Sequence, residues 1–363
     1  MSTTNLDAVD LAAVPVGGTI HEDLMDAIYD VSPVDRPFCD AIGSTDASNT
    51  YKEWVREALE ASDPDNARVD GSSSAGLNDT VTGERLGNYC QIATKTVRVS
   101  DRGREVDTVG SSDELIRQLM KRQRALRRDE EASMLSRNVA VPGDGNTVAG
   151  VMAGVGGWIG TGQAATNTSR GITTGADPIL SGNPGGYPTT GAVSGVARAL
   201  SEAGVKALLR AAYDKGGNPS LAIGRPVVIE LFSDFLFTSS ARVAALQTDV
   251  SQSNRTDNGS GGGNSGGGAV AQGAVNIYVS NFGTVELVPD RFQPASATDE
   301  SDLYLIDPES WERAYLQGYE TKSLARDGLA ENREISVDFS LCSLNEEANA
   351  VFADIDETTP MVA

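Results

Sequence analysis

Apolar residues recur along this chain at two spacings, and long stretches keep neither. The clearest three-to-four-residue period lies in "SSDELIRQLMKRQRALRRDEEASMLSRN", Ser111–Asn138. There Leu115, Leu119 and Leu126 form one stripe, which Ile116 and Met120 widen. The pattern predicts a helix with Ser112 as N-cap and Asp113 and Glu114 in its first turn. At about 1.5 Å per residue this helix spans roughly 40 Å and would act as a spine. A second helix is predicted within "SEAGVKALLRAAYDKGGNP", Ser201–Pro219. Ser201 caps it, Val205, Leu208, Leu209 and Ala212 supply the buried face, and Gly216, Gly217 and Pro219 end it. "RPVVIELF" reads as a buried strand, after which Ser233 would cap a third helix through about Leu246.

Alternation with period two marks the strands. In "EISVDFSLCSL", Ile335, Val337, Phe339 and Leu341 oppose Ser336, Asp338, Ser340 and Cys342. "VNIYVS", the turn "NFG" and "TVELVPDRF" predict a hairpin over Val275–Phe292. The stretch from Leu303 onward should hold several strands and a short end helix. Residues 140–195 are rich in Gly, Thr, Ser and Pro and read as loops and short strands anchored by Trp158 and Ile159. Residues 1–50 show little period beyond one short helix near Glu22–Tyr29, and the prolines of "VSPVDRPF" hold an extended path.

One segment lacks both periods. A strand begins at "TYKEWVREALEA" (Thr50–Ala61), a polar excursion follows over Ser62–Asn88, and "YCQIATKTVRVS" (Tyr89–Ser100) is again strand-like, with Cys90 and Ile92 on one face and Val97 and Val99 on the other. This predicts a two-stranded projection, which is marginal in water unless it lies on another surface. The rest of the pattern offers no obvious one. Together these elements give an α+β chain.

Composition narrows the function. The chain has 363 residues and a net charge of −22, which repels nucleic acid at long range and argues against a free-standing DNA binder. Cys39, Cys90 and Cys342 are few, scattered and odd in number, as expected of reduced thiols made in a cytoplasm. The N-terminus has no basic leader segment, and the strongest apolar run is too short to cross a bilayer.

No catalytic constellation emerges. His21 is the sole histidine, and there is no Gly-x-Ser-x-Gly elbow. "DPDNARVDG" departs from a calcium loop at its fifth position, Ala67, and at its glycine. The Gly-rich stretch 256–270, with Gly261, Gly262, Gly263, Gly266, Gly267 and Gly268, has no phosphate-binding lysine and leads into a strand, so it reads as a mobile loop. Arg122, Arg124, Arg127 and Arg128, with Lys121, could meet phosphates; the simpler reading is a solvated face with pairs such as Arg127 to Glu131. No cofactor or metal site is expected.

An arm, an unsupported ribbon, a long spine and a flexible tip bury poorly alone and make sense when neighbours cover them. The ordered stretches "SPVDRPFCDAIG", "YKEWVREAL", "NYCQIATKTVRVS", "DELIRQLMKRQRALRRDEEASMLSRN", "AGVMAGVGGWI", "ALLRAAYDKGGNP", "IYVSNFGTVELVPDRF" and the segment from Leu303 to Ile355 resemble the major capsid proteins of tailed bacteriophages, of the Hong Kong 97 type. They look most like the podophage and siphophage head proteins that lack a fused scaffold domain. Asn281 stands where that resemblance leads one to expect aspartate, a change both residues' turn preference tolerates.

The resemblance implies an N-terminal arm over 1–50, an extended loop over 51–100, a peripheral domain with the spine helix and a Gly/Thr-rich insertion over 101–190, an axial domain over 191–300 carrying the glycine loop, and returning peripheral strands over 301–363. It implies a shell of homo-pentamers and homo-hexamers around packaged double-stranded DNA, with loose nonspecific DNA contact, a separate scaffolding protein, a portal, possible decoration proteins and no membrane. It places the chain in the virion after synthesis in the host cytoplasm, with no deep N-terminal cleavage. Some relatives weld subunits through a lysine in the extended loop; no lysine lies between Lys52 and Lys95, so a noncovalent shell is expected. Arg56, Arg68, Arg85, Arg122, Arg124, Arg127 and Arg128 are expected at subunit interfaces, meeting carboxylates of other chains. Competing readings are the shell of a cellular nanocompartment of the same fold, an acidic metal-dependent hydrolase, and a tail-tube or adhesin protein, which would have more strands in place of the spine.

Overall fold

The computed structural model describes residues 30–59, 62–71, 83–106, 113–161, 168–169, 175–182, 186–238, 277–297, 299–326 and 328–362. The expected helix at 22–29, His21 and the glycine loop 256–270 lie outside the described residues.

In chain order, a short helix Pro37–Ala41 leads to β1 (Gly43–Asp46), β2 (Tyr51–Arg56), β3 (Glu84–Tyr89) and β4 (Gln91–Ser100). A turn of helix, Asp101–Glu105, precedes the spine helix Glu114–Met134. The helical turn Val155–Trp158 and the short strands β5 (Thr168–Ser169), β6 (Ile179–Leu180) and β7 (Pro188–Thr190) follow. Then come a helix at Glu202–Asp214, β8 (Leu221–Gly224), a helix at Pro226–Thr238, β9 (Ile277–Ser280), β10 (Gly283–Pro289) and β11 (Glu300–Ile306). The chain closes with β12 (Trp311–Ser323), β13 (Ala330–Ser343) and β14 (Ala350–Asp356).

Two sheets organise these elements. One has the order β1-β12-β13-β4, with β13 pairing β4 over ten residues; the other has the order β5-β14-β11-β8-β10-β9. The segment 301–363 therefore divides: β12 and β13 lie in the first sheet, while β11 and β14 join β8, β9 and β10 in the second.

The spine helix crosses the first sheet, its Leu115 packing with Val97 and Val99 of β4. Its N-cap is Asp113, whose side chain accepts from the Leu115 N–H, and not Ser112, which lies outside the described residues. Ile116 and Met120 do not widen the buried stripe; they are about half exposed, while Leu126, Glu130, Glu131 and Met134 complete it. Its 21 residues span about 32 Å, shorter than expected.

The second predicted helix forms as expected. Ser201 accepts from the Gly204 N–H, the four named apolar residues are buried, and Gly216 takes φ +83°, the left-handed conformation that ends a helix and suits glycine. The run after it differs. The buried strand is the preceding "LAIG", and "PVVIELF" opens a helix with Ser233 inside it and not at its cap. Pro226 begins this helix, where its missing N–H has no partner to lose. Val228, Ile229 and Phe232 then fall one turn apart on the buried side. "NAVFADI" gives no end helix: one 3₁₀ turn, Glu346–Ala348, precedes β14, which lies inside the second sheet.

The predicted hairpin is β9–β10, with Gly283 facing Ser280 across a two-residue turn. In β13, Ile335, Val337, Phe339 and Leu341 are buried as expected, but Ser340 and Cys342 on the other face are covered as well. Ser340 donates to the Tyr89 carbonyl there. Trp158 and Ile159 are fully buried anchors.

Candidate assembly surfaces

The two-stranded projection is built differently from the sequence expectation. β2 pairs with β3, not with the 91–100 strand, which belongs to the first sheet as β4. Its base also rests on the chain's own body. Leu86 is completely buried, and the Trp54 ring lies 5.5 Å from Trp158. Asn88, also buried, donates to the Leu341 and Ala153 carbonyls and accepts from the Ala153 N–H. Gly87 gives the crossing its room: a Cβ there would meet the Tyr51 ring at 2.4 Å. Beyond this anchor the situation reverses. Residues 57–59 and 62–71 are all exposed, including Leu59 at 98% and Val69 at 80%. The outer ribbon presents apolar surface that the described residues leave uncovered.

The arm is locked to the spine by two adjacent glutamates. Glu131 is buried and accepts from the Phe38 N–H at 2.7 Å and the Cys39 N–H at 2.9 Å, satisfying the first turn of the short helix Pro37–Ala41. Burial pushes its carboxyl up to about 7, and the neighbouring Asp290 adds to the rise against the hydrogen bonds from Cys39 and Phe38. Asp290 is raised too, chiefly by burial, although it accepts from the Phe292 N–H at 2.7 Å. Its Oδ2 is shut from solvent and has no hydrogen-bond partner in the structure, beside the raised Glu131 carboxyl. Glu130, fully buried, accepts from Arg36 at 3.3 Å and from the hydroxyls of Tyr315 and Tyr319.

A third network joins the spine to the second sheet. Just past the spine helix, Arg137 donates through Nε to Asp302 at 2.6 Å and through Nη2 to Asp354 at 3.2 Å. The two carboxylate side chains are 4% and 0% exposed. Burial pulls the Arg137 pKa down, but hydrogen bonds to Asp302 and its charge hold it above the ordinary value. Asp354 takes φ +59°, and its carboxylate also accepts from the Gly195 N–H at 2.9 Å.

The arginines singled out by sequence fall into three groups. Arg56, Arg85 and Arg124 find carboxylates inside the chain: Arg56 meets Glu84 and Glu346, Arg85 meets Glu53, and Arg124 meets Asp30 at 2.8 Å. Each of the three therefore has a counter-charge within its own chain. Arg127 and Arg128 lie over their own rings, Tyr319 at 5.5 Å and Phe292 at 4.8 Å, and Arg127 does not pair with Glu131, which is turned inward to the arm. Arg68 and Arg122 are exposed.

Sequence reasoning missed Glu130, Glu131, Asp290, Asp302 and Asp354. A signal existed for Glu130, which sits one turn beyond Leu126 and one before Met134 on the apolar stripe. Asp302 and Asp354 gave none, because the chain brings them together from strands fifty residues apart.

The thiols of Cys39, Cys90 and Cys342 are buried and unpaired, and burial pushes Cys90 up to about 11 and Cys342 up to about 12, far from a reactive thiolate. Among the described residues no group of three His, Cys, Asp or Glu side chains is placed to hold a metal. No described helix is long and apolar enough to cross a membrane.

Solved structures share this architecture. The capsid asymmetric unit of cyanophage A-1(L) superposes with a TM-score of 0.53 at 12% identity, covering 93% of this chain and 97% of that one. The capsid of a native GTA particle gives 0.52 at 11% identity over 96% and 99%, and Mycobacterium phage Che8 gives 0.51 at 12% over 94% and 98%. At these identities the likeness is one of fold, the Hong Kong 97-type α+β fold. In sequence, 108 residues are 35% identical to the major capsid protein of Escherichia phage Phieco32, so this chain spans 30% of the length of that curated relative and is itself matched over 29%. The family described as SU10 major capsid protein matches residues 2–356, nearly end to end, and the chain belongs to that family.

Proposed function

We propose that this chain is the structural subunit of an icosahedral bacteriophage head, assembling as homo-pentamers and homo-hexamers around packaged double-stranded DNA. The observation that carries the reading is the family match across residues 2–356. The outer ribbon supports it physically: its base is fixed by Leu86, Trp54 and Asn88 while residues 57–59 and 62–71 expose Leu59 and Val69. A projection held rigidly at one end and uncovered at the other suits a surface supplied by a sibling.

In this reading residues 1–50 act as the arm, 51–89 with the ribbon as the extended loop, the spine with the first sheet as the peripheral body, and the second sheet with the 202–214 and 226–238 helices as the axial body. The glycines Gly261, Gly262, Gly263, Gly266, Gly267 and Gly268 let one sequence serve both pentamer and hexamer. Arg68 and Arg122 are the interface cations, joined by Arg127. The role is structural, not catalytic. A separate scaffolding protein and a portal complete the head, decoration proteins add to its surface, DNA contact is loose, and the mature location is the virion. Electron microscopy of the chain expressed with its scaffold tests this: closed shells with fivefold and sixfold capsomers are expected, and a population of lone subunits under all conditions would refute it.

A further inference from the structure

We infer that the pocket between the spine helix and β12 is a socket for a carboxylate of a second copy of this chain, supplied by the ribbon segment 57–70. The inference rests on the shell-subunit reading and names one contact through which copies would hold each other.

The pocket has a volume of about 250 Å³ and is lined by Arg36, Arg127, Arg313, Tyr315, Gly318 and Tyr319. Three guanidinium groups converge there, and only one is matched by charge. Arg36 bonds to Asp40 at 2.9 Å and to Glu130 at 3.3 Å. Glu130 is then fully engaged, because Tyr315 and Tyr319 also donate to it. Among the described residues, Arg127 and Arg313 have no carboxylate within ion-pair distance. They lie instead over tyrosine rings, Arg127 at 5.5 Å from Tyr319 and Arg313 at 5.8 Å from Tyr315. The Arg313 Nε is closed off from solvent and has no acceptor. A buried donor left unmade costs about 1–3 kcal/mol, more for a charged group. Two cations and an unmet N–H beside one occupied carboxylate make an acceptor deficit that the described residues do not fill.

The chemistry selects the occupant. A guanidinium pair binds a planar carboxylate in two-point fashion. The Glu130 carboxylate beside the pocket disfavours a phosphate dianion, and a net charge of −22 repels a nucleic-acid backbone before it arrives. A second copy brings 51 acidic residues against 29 basic ones, an excess that must find cations when copies pack. Within the described chain, the acids of the outer ribbon are exposed and available: Glu57, Asp63, Asp65 and Asp70 make no ion pair with a described cation. They sit beside Leu59 and Val69, whose exposure shows that this stretch still needs a surface. The spine's buried apolar stripe is spent on its own chain, whereas the arginine pocket opens between the spine and β12.

The test is a chemical cross-link. Particles are made from an equal mixture of ¹⁴N and ¹⁵N chains carrying Arg127→Lys or Arg313→Lys and treated with a carbodiimide, which joins an amine to a carboxylate in direct contact. Lys95 and Asp129, 2.5 Å apart, provide the internal control link. The inference expects peptides linking position 127 or 313 to an acid in 57–70, with mixed isotopes showing that the two ends come from different copies. Links to acids elsewhere, links within single copies only, or control links alone would overturn it. In parallel, Arg127→Ala with Arg313→Ala should raise the threshold concentration for assembly at least about tenfold; an unchanged threshold also counts against the socket. Should the unmodified chain form no particles, the shell reading itself falls. The same mixed-isotope cross-linking on the concentrated soluble chain then decides the socket separately, absence of inter-copy links overturning it.

Discussion

Replacing Arg137 by methionine should be among the most damaging single changes in the body of the subunit. The guanidinium pairs with two carboxylates that are 4% and 0% exposed, and its removal takes Asp302's ion-pair partner away and leaves Asp354 with Arg198 as its charged neighbour. Breaking a buried ion pair by deleting one partner costs about 3–5 kcal/mol, against a total stability of about 5–15 kcal/mol for a folded domain. Other donors soften the loss, among them the Tyr304 hydroxyl at 3.2 Å and the Asp354 N–H at 3.3 Å on Asp302, and the Gly195 N–H on Asp354. The expected value therefore lies near the lower end, about 3 kcal/mol. Urea unfolding of the unassembled subunit measures it as a lower midpoint at unchanged slope. A companion variant carrying Arg137→Met with Asp302→Asn and Asp354→Asn removes the charges together and should recover most of the loss. A cost below about 1 kcal/mol for the single change, or a triple variant no better than the single, would refute the view that this network fastens the spine to the second sheet.

Three further outcomes follow from other contacts. The Glu131 carboxyl has its folded-state pKa raised from 4.5 to about 7, so between those values the folded chain holds more protons than the unfolded one. Stability must then fall as pH rises through that window, by up to about 1.4 kcal/mol per pH unit for one proton, and Asp290→Asn should flatten the fall by removing the charge that helps raise Glu131; a slope unaltered in the variant contradicts the coupling of the two carboxyls. Leu86→Ala, at a completely buried site under the ribbon, should cost about 2–5 kcal/mol in thermal or urea unfolding, and a loss under about 1 kcal/mol would mean the ribbon base is not anchored there. Because each copy carries −22, assembly yield measured by light scattering should depend on ionic strength, and identical yields from about 10 mM to 1 M salt would disprove an electrostatic barrier between copies.

What the sequence made legible was local. The helix at Glu202–Asp214 has its cap, its apolar face and its glycine stop within nineteen residues, so nothing distant could override it. The β9–β10 hairpin has its turn between its strands, and the alternation in β13 survives because one face meets a continuous core. The misreadings were of another kind. "PVVIELF" is apolar except for Glu230, and so short an apolar run does not reveal its period; the fully buried β8 before it and Pro226 at its start favour a helix. The ribbon was drawn too wide because Tyr89–Ser100 looks like one strand, whereas the ladder changes partner at Cys90, from β2 on one side to β13 on the other. The candidate surfaces were half legible. Arg127 and its neighbours are visible in the sequence as a basic stripe, but which of them already have a partner depends on Asp30, Tyr319 and Phe292, residues brought close only by the fold.

The central claim is that the outer ribbon is open in a lone subunit and covered by siblings in the shell. Hydrogen exchange of residues 51–71, followed by mass spectrometry in the free subunit and in assembled particles, tests it most directly. The account predicts fast exchange over 57–59 and 62–71 in the free chain, slow exchange over β2 in both states, and strong slowing of the outer stretch on assembly. An outer stretch already protected in the lone subunit, or one that exchanges equally fast in the particle, would contradict it.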